Sequence, residues 1–181
     1  MRILAIDQST TSTGWAYFID DSLVDYALIK PKSSKKVNEV TIEREEHLCS
    51  IKMPEEMFGT TLLRSTVIAT EIQRLVTELK PDVVYFEEIF ENGNANAFRS
   101  LARLQGFICW ICYTSNIPYR IVEETKWIKA MGTYTKEIKR PERKADIMRK
   151  INDLYDLDIT TDDISDAIAI GRYGIINEKG E

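Results

Sequence analysis

Residues 2–18 read RILAIDQSTTSTGWAYF. An apolar run ends in Asp7, a cluster of hydroxyls follows, and Gly14 opens a second apolar run. RILAID is apolar without strict alternation, the pattern of a central strand buried on both faces. GWAYFI (14–19) and LVDYALI (23–29) predict two further strands joined by a polar turn. Together they form a three-strand antiparallel meander. Such an opening suits two chemistries. Hydroxyls and glycine after a strand can cradle a phosphate, and an Asp at a strand end can hold a metal ion.

The rest of the chain extends this start into an alternating fold. Val67, Ile68, Ile72, Leu75, Val76 and Leu79 recur at helical spacing between Thr60 or Thr61 and Pro81. DVVYFEE (82–88) is a short apolar and β-branched run ending in carboxylates, which predicts a buried parallel strand. A helix over 95–115, a strand at YRIV (119–122), a short helix around EETKWIKAM, a basic helix around PERKADIMRKI and a last helix from 161–163 follow. Residues 31–60 are polar and charged, and predict a long loop or insertion with EVTI as a short edge strand. The element order is that of a ribonuclease H-like α/β fold. It predicts a five-stranded mixed sheet, the meander plus two parallel strands, flanked by helices in one domain spanning 1–181. Fold order alone does not assign a function.

Composition narrows the classes. With 181 residues and 44% hydrophobic content, the chain can bury one substantial core. It contains no apolar run of the length that spans a bilayer. The N-terminus runs straight into the first strand without a signal-peptide pattern, so the expected location is the cytoplasm. Three cysteines argue against a disulfide framework. The net charge of −5 does not by itself favour nucleic acid. Its distribution does: 120–150 holds ten Lys/Arg against five Asp/Glu, whereas 151–181 holds two against eight. A basic patch beside an acidic cluster suits an enzyme that grips a polyanion and collects cations, although two solvated helix faces would look the same.

The candidate chemistry lies in carboxylates at separate places in the chain: Asp7, Glu87 or Glu88, and Asp162, Asp163 and Asp166. Side chains alternate along a strand, so one of Glu87 and Glu88 points inward. Asp162 reads as a helix N-cap, and Asp163 is open to the same reading. Asp166 lies in an otherwise apolar helix and needs a partner. Converging carboxylates repel unless cations intervene. Oxygen-only donors select hard ions, Mg²⁺ or Mn²⁺. Two such ions about 3.5–4 Å apart can clamp a phosphodiester.

ILAIDQSTTSTGWAYF, DVVYFEEIF and DDISDAIAIG, in this order and spacing, resemble the three acidic motifs of RuvC-type Holliday junction resolvases, in particular those carried by phages and mobile elements. The resemblance covers roughly 1–30 and 62–175. It implies a Mg²⁺-dependent endodeoxyribonuclease, a homodimer, that resolves four-way junctions in a bacterial host cell and leaves 5′-phosphate ends. It places two Mg²⁺, or Mn²⁺ as the substitute, on Asp7, Glu87, Asp163 and Asp166. Phe90 matches the residue inserted at the junction. Two family lysines fall on Lys126 and Lys144, with Lys139, Arg140 and Arg143 as rivals for phosphate contact. The chain departs from the family at Gln8-Ser9, where Pro-Gly is usual, and in its longer 31–60 insertion.

Other readings weigh less. AIDQSTTSTG also resembles the opening of sugar kinases, but these need a second phosphate loop and more than twice this length. An RNA-processing or non-catalytic junction-binding relative would share the fold. Cys109 and Cys112 (CWIC) sit in an apolar helix without a second pair, which favours core packing. His47 reads as a surface residue. Trp110, Trp127 and Tyr113 suit core or interface packing better than base stacking.

Overall fold

The computed structural model describes residues 1–91, 93–133 and 139–180. The meander forms as expected: β1 (Arg2–Asp7), β2 (Thr13–Ile19) and β3 (Ser22–Ser33) pair antiparallel. On the other side of β1, β6 (Val83–Glu87) adds in parallel, and β7 (Tyr119–Val122) pairs in parallel with β6.

The sheet has seven strands rather than five, in the order β4-β5-β3-β2-β1-β6-β7. The two extra strands come from the segment expected to be a loop. β4 (Thr41–Glu45) and β5 (Leu48–Met53) form a hairpin, and β5 runs parallel to an extended β3. The alternation is present once the polar residues are set aside: Cys49, Ile51 and Met53 are buried on one face of β5. The expected edge strand at EVTI is β4, which lies at the sheet edge. A short helix, α1 (Glu55–Phe58), completes the segment.

The five helices expected from the sequence form as α2 (Thr61–Leu79), α3 (Ala95–Thr114), α4 (Glu124–Ala130), α5 (Arg140–Tyr155) and α6 (Asp162–Lys179). Strand alternation sorts the core into two layers. Leu4, Ile6, Trp15, Tyr17, Val84 and Phe86 face α2 and α3. Ile3, Ala5, Ala16, Phe18, Val83 and Tyr85 face α4, α5 and α6. By the same alternation, Asp7, Gly14 and Glu87 fall on the α6 side of the sheet.

Helix α6 packs on β1 and β2, and glycine makes the approach possible. A Cβ at Gly14 would lie 1.9 Å from the Asp163 carbonyl oxygen. One at Gly171 would lie 2.3 Å from the Phe18 ring.

The hairpin is tied to the body by Glu71 of α2, which is 1% exposed. Arg44 of β4 donates to both its carboxylate oxygens, at 2.9 and 2.7 Å, and Arg74 donates at 2.7 Å. Burial works against the carboxylate, but the two guanidinium groups outweigh it and hold Glu71 below its ordinary range. Its contribution is therefore present above pH 4.5 and is lost as pH falls through the depressed value. Glu71→Gln should cost about 2 kcal/mol in urea unfolding at pH 7. The gap from the wild type should close on acidification below the usual carboxylate range. A gap that persists there would remove the ion pair as its cause.

Candidate active site

Three stretches far apart in sequence meet at one end of the sheet. Ile6 pairs with Phe86 in the parallel register, so Asp7 and Glu87 leave adjacent strands side by side. Asp7 also faces Gly14 across the antiparallel pair, and the backbone of Asp163 rests on Gly14. The start of α6 is thereby pressed against the end of β1. Asp166 follows on the same helix and is 5% exposed.

These four carboxylates line one cleft of about 260 Å³, together with Gln8, Glu124, Arg140 and Lys144. Phe90 stands on its wall and is 58% exposed. Glu88 also borders the cleft, but strand alternation assigns Glu87 to the α6 side. Among the described residues, no three carboxylates close on one point as a ready-made cage. Their mutual repulsion opposes it.

The electrostatics express that repulsion. Burial first, then the charges of Asp166, Glu87 and Asp163, push Asp7 well above the ordinary carboxylate range. Glu87 is pushed up to about 7 by burial, helped by Glu124 and Asp166 and opposed by Arg140 and Lys144. Asp166 is pushed up to about 6, chiefly by burial, against the pull of Lys144. One of its oxygens, Oδ1, is buried without a hydrogen-bond partner among the described residues. Oxygen donors that repel one another, with a buried carboxylate oxygen unpartnered, fit a divalent cation.

Ser9, Ser12 and Thr13 use their hydroxyls within the loop and on the acidic cluster. The Ser12 hydroxyl donates to Asp163 Oδ2 at 2.6 Å. The Thr13 hydroxyl donates to the Ser9 carbonyl at 2.5 Å, and Ser9 Oγ accepts from the backbone N–H groups of Thr11 and Ser12. The loop that looked like a phosphate cradle is a brace for the acidic cluster. Gln8 contributes to it: its amide donates to the Glu87 carbonyl at 2.9 Å and joins the ends of β1 and β6. Gln105 of α3 donates to the same carbonyl at 3.3 Å. The sequence signalled Gln8 only as a departure from the usual Pro-Gly.

The basic candidates separate. Lys144 reaches into the cleft, with Nζ 2.5 Å from Asp162 and 3.4 Å from Asp166. Arg140 borders the cleft, and Arg143 pairs with Glu124 at 3.6 Å. Lys139, at the N-cap of α5, is exposed outside the cleft lining. Lys126 is also outside it and pairs with Glu123 at 3.6 Å. Asp162 does not cap α6 with its side chain; Thr161 occupies the N-cap position, and Asp162 holds Lys144 instead.

The remaining candidates resolve without chemistry. Cys112 is buried in the core and its thiol is pushed up to about 12 by burial, while Cys109 packs at the margin. His47 is exposed and stacks on Tyr26 at 4.1 Å. Trp127 is buried, whereas Trp110 and Tyr113 stand out from α3 at 63% and 76% exposure. No described helix is long and apolar enough to cross a membrane.

Comparison with known proteins agrees with this geometry. A family model described as DUF3882, Lactococcus phage M3 protein, matches residues 1–175. The crossover junction endodeoxyribonuclease RuvC of Syntrophomonas wolfei is 28% identical over 170 residues, covering 94% of this chain and 86% of that protein. The RuvC of Caldicellulosiruptor saccharolyticus is 23% identical, covering 99% and 95%. The structure of Thermus thermophilus RuvC in complex with a Holliday junction substrate superimposes with a TM-score of 0.70 at 13% identity, covering 99% of this chain and 97% of that one. The fold is therefore the ribonuclease H-like α/β fold of RuvC.

Proposed function

Since the chain belongs to the Lactococcus phage M3 protein family and is similar along its length to RuvC enzymes, we propose that it is a divalent-metal-dependent endonuclease that resolves four-way DNA junctions. The observation that carries this reading is the meeting of Asp7, Glu87, Asp163 and Asp166 in one cleft beside Lys144. The whole chain acts as one nuclease domain.

Asp7, Glu87, Asp163 and Asp166 would hold two Mg²⁺, with Mn²⁺ as substitute, and the ions would supply Lewis-acid chemistry for hydrolysis of a phosphodiester to a 5′-phosphate. Ser12 fixes the Asp163 carboxylate, and Gln8 and Gln105 fix the backbone that bears Glu87. Lys144 sets a positive charge beside the position of the phosphate, where it favours developing negative charge. Arg140 and Arg143 extend that field along α5, and Lys126 and Lys139 meet phosphates farther out. Phe90, exposed on the cleft wall, inserts where stacking is already broken, so the insertion is cheap.

Two such clefts acting together require a second copy of the chain. The exposed Trp110 and Tyr113 on α3 offer it an apolar face. The proposed setting is the cytoplasm of a bacterial host, where branched phage DNA arises.

Cleavage of labelled four-way junctions, forks, linear duplex and RNA tests these statements together. Cutting of the junction should need Mg²⁺, stop with EDTA, and produce paired nicks on opposing strands. Mg²⁺-dependent cutting of RNA alone would move the substrate to RNA. Unpaired single nicks would count against the dimer. No cutting of any branched substrate would remove the nuclease reading.

A further inference from the structure

Lys144 is held by two carboxylates that differ in kind. Asp162, the first residue of α6, lies outside the cleft lining in a neighbouring hollow shared with Arg140 and Lys144, and its side chain is 46% exposed. Asp166, four residues on, has one 7% exposed. The ammonium sits closer to Asp162, 2.5 Å from its Oδ2 against 3.4 Å from Asp166 Oδ2. Asp162 lies outside the four carboxylates assigned to the cations.

We propose that Asp162 is a positioning residue that draws the Lys144 ammonium to itself and so leaves Asp166 open to a cation. This rests on the cleft being a cation site. A mobile ammonium and a metal ion compete for the same carboxylate, because each satisfies its charge. Asp162 supplies Lys144 with an alternative partner that the cations do not need. When Asp162 loses its charge, the remaining carboxylate within 4.0 Å of the ammonium among the described residues is Asp166. Lys144 then becomes a resident competitor. With Asp162 in place, Lys144 remains next to the cleft and ready to meet a phosphate.

The test is calorimetric titration of Mn²⁺ into the metal-free protein, with Asp162→Asn, Lys144→Met and the double variant. Asp162→Asn should weaken Mn²⁺ binding about fivefold, the scale of one partly exposed ion pair. Lys144→Met should strengthen it, and adding Asp162→Asn to Lys144→Met should change nothing further. Equal weakening in both backgrounds would show that Asp162 acts only through its own charge and would overturn the proposal. So would an Asp162→Asn protein that binds Mn²⁺ like the wild type. A wild type that takes no Mn²⁺ would instead remove the cation reading of the cleft, and this inference with it. Thermal melts identify any variant that fails to fold, and Asp162→Ser then replaces Asp162→Asn.

Discussion

Asp7→Asn should abolish junction cutting, by about 10³-fold or more, and still leave a protein that folds and binds junctions. Asn keeps the shape of the side chain and removes the charge that would bind the cation. The same change should raise the melting temperature of the metal-free protein by about 3 °C. Asp7 is held well above its ordinary range by burial and by three neighbouring carboxylates, so its ionised form weakens the fold. The sign follows. A carboxyl whose folded pKa is raised destabilises the native state where the unfolded chain is ionised, above about pH 4. The advantage of the Asn variant should therefore be largest at pH 7–8 and shrink towards pH 4. Single-turnover cleavage measures the first effect, and melts in EDTA at two pH values measure the second. Undiminished cutting would move the cations off Asp7. A lower melting temperature at pH 8 would show that the amide breaks contacts worth more than the repulsion it removes.

Gly14→Ala should be nearly as damaging, although the residue carries no chemistry. The added Cβ would lie 1.9 Å from the Asp163 carbonyl oxygen and 2.5 Å from its carbon, both backbone atoms. Real Cβ contacts stay beyond 3.0 Å, so α6 must retreat by about 1 Å. That shift moves Asp163 and Asp166 away from Asp7 together. A misplacement of that size can cost about 10²-fold in rate. The overpacking should also cost about 2 kcal/mol in urea unfolding. Gly59→Ala serves as the control, because its nearest contact would be an ordinary 3.6 Å. If Gly14→Ala cuts at the wild-type rate, the spacing of α6 from β1 does not set the geometry of the cleft.

Much of this was legible in the sequence because the signals are local. Apolar runs ending in acids identified β1 and β6, and an Asp inside the apolar start of α6 marked a buried charge in need of a partner. What was not legible depends on distance. The parallel pairing of β3 with β5 joins residues whose polar surroundings resemble a loop, and its support comes from Arg44 meeting Glu71 on another element. The exchange of Asp162 from cap to lysine partner is set by how α5 lies along α6, which no spacing within either helix reveals. Gly14 shows the same limit: a glycine in a strand signals close approach, but not what approaches. The hydroxyls of the first loop have both donors and acceptors, and only folding shows that they brace one another and Asp163.

The contact between the last helix and the first strand also sets a clock. Asp7, Glu87 and the Asp163/Asp166 pair leave the ribosome in that order. At about 5–20 residues per second, several seconds separate Glu87 from Asp163, and for that time a nascent chain has a complete first strand and an incomplete cleft. No chain lacking α6 can assemble all four carboxylates, since Asp163 and Asp166 lie on it and it must first settle on Gly14. The proposed cutting chemistry therefore waits for α6, and a chain that stops before it carries at most Asp7 and Glu87 of the four carboxylates.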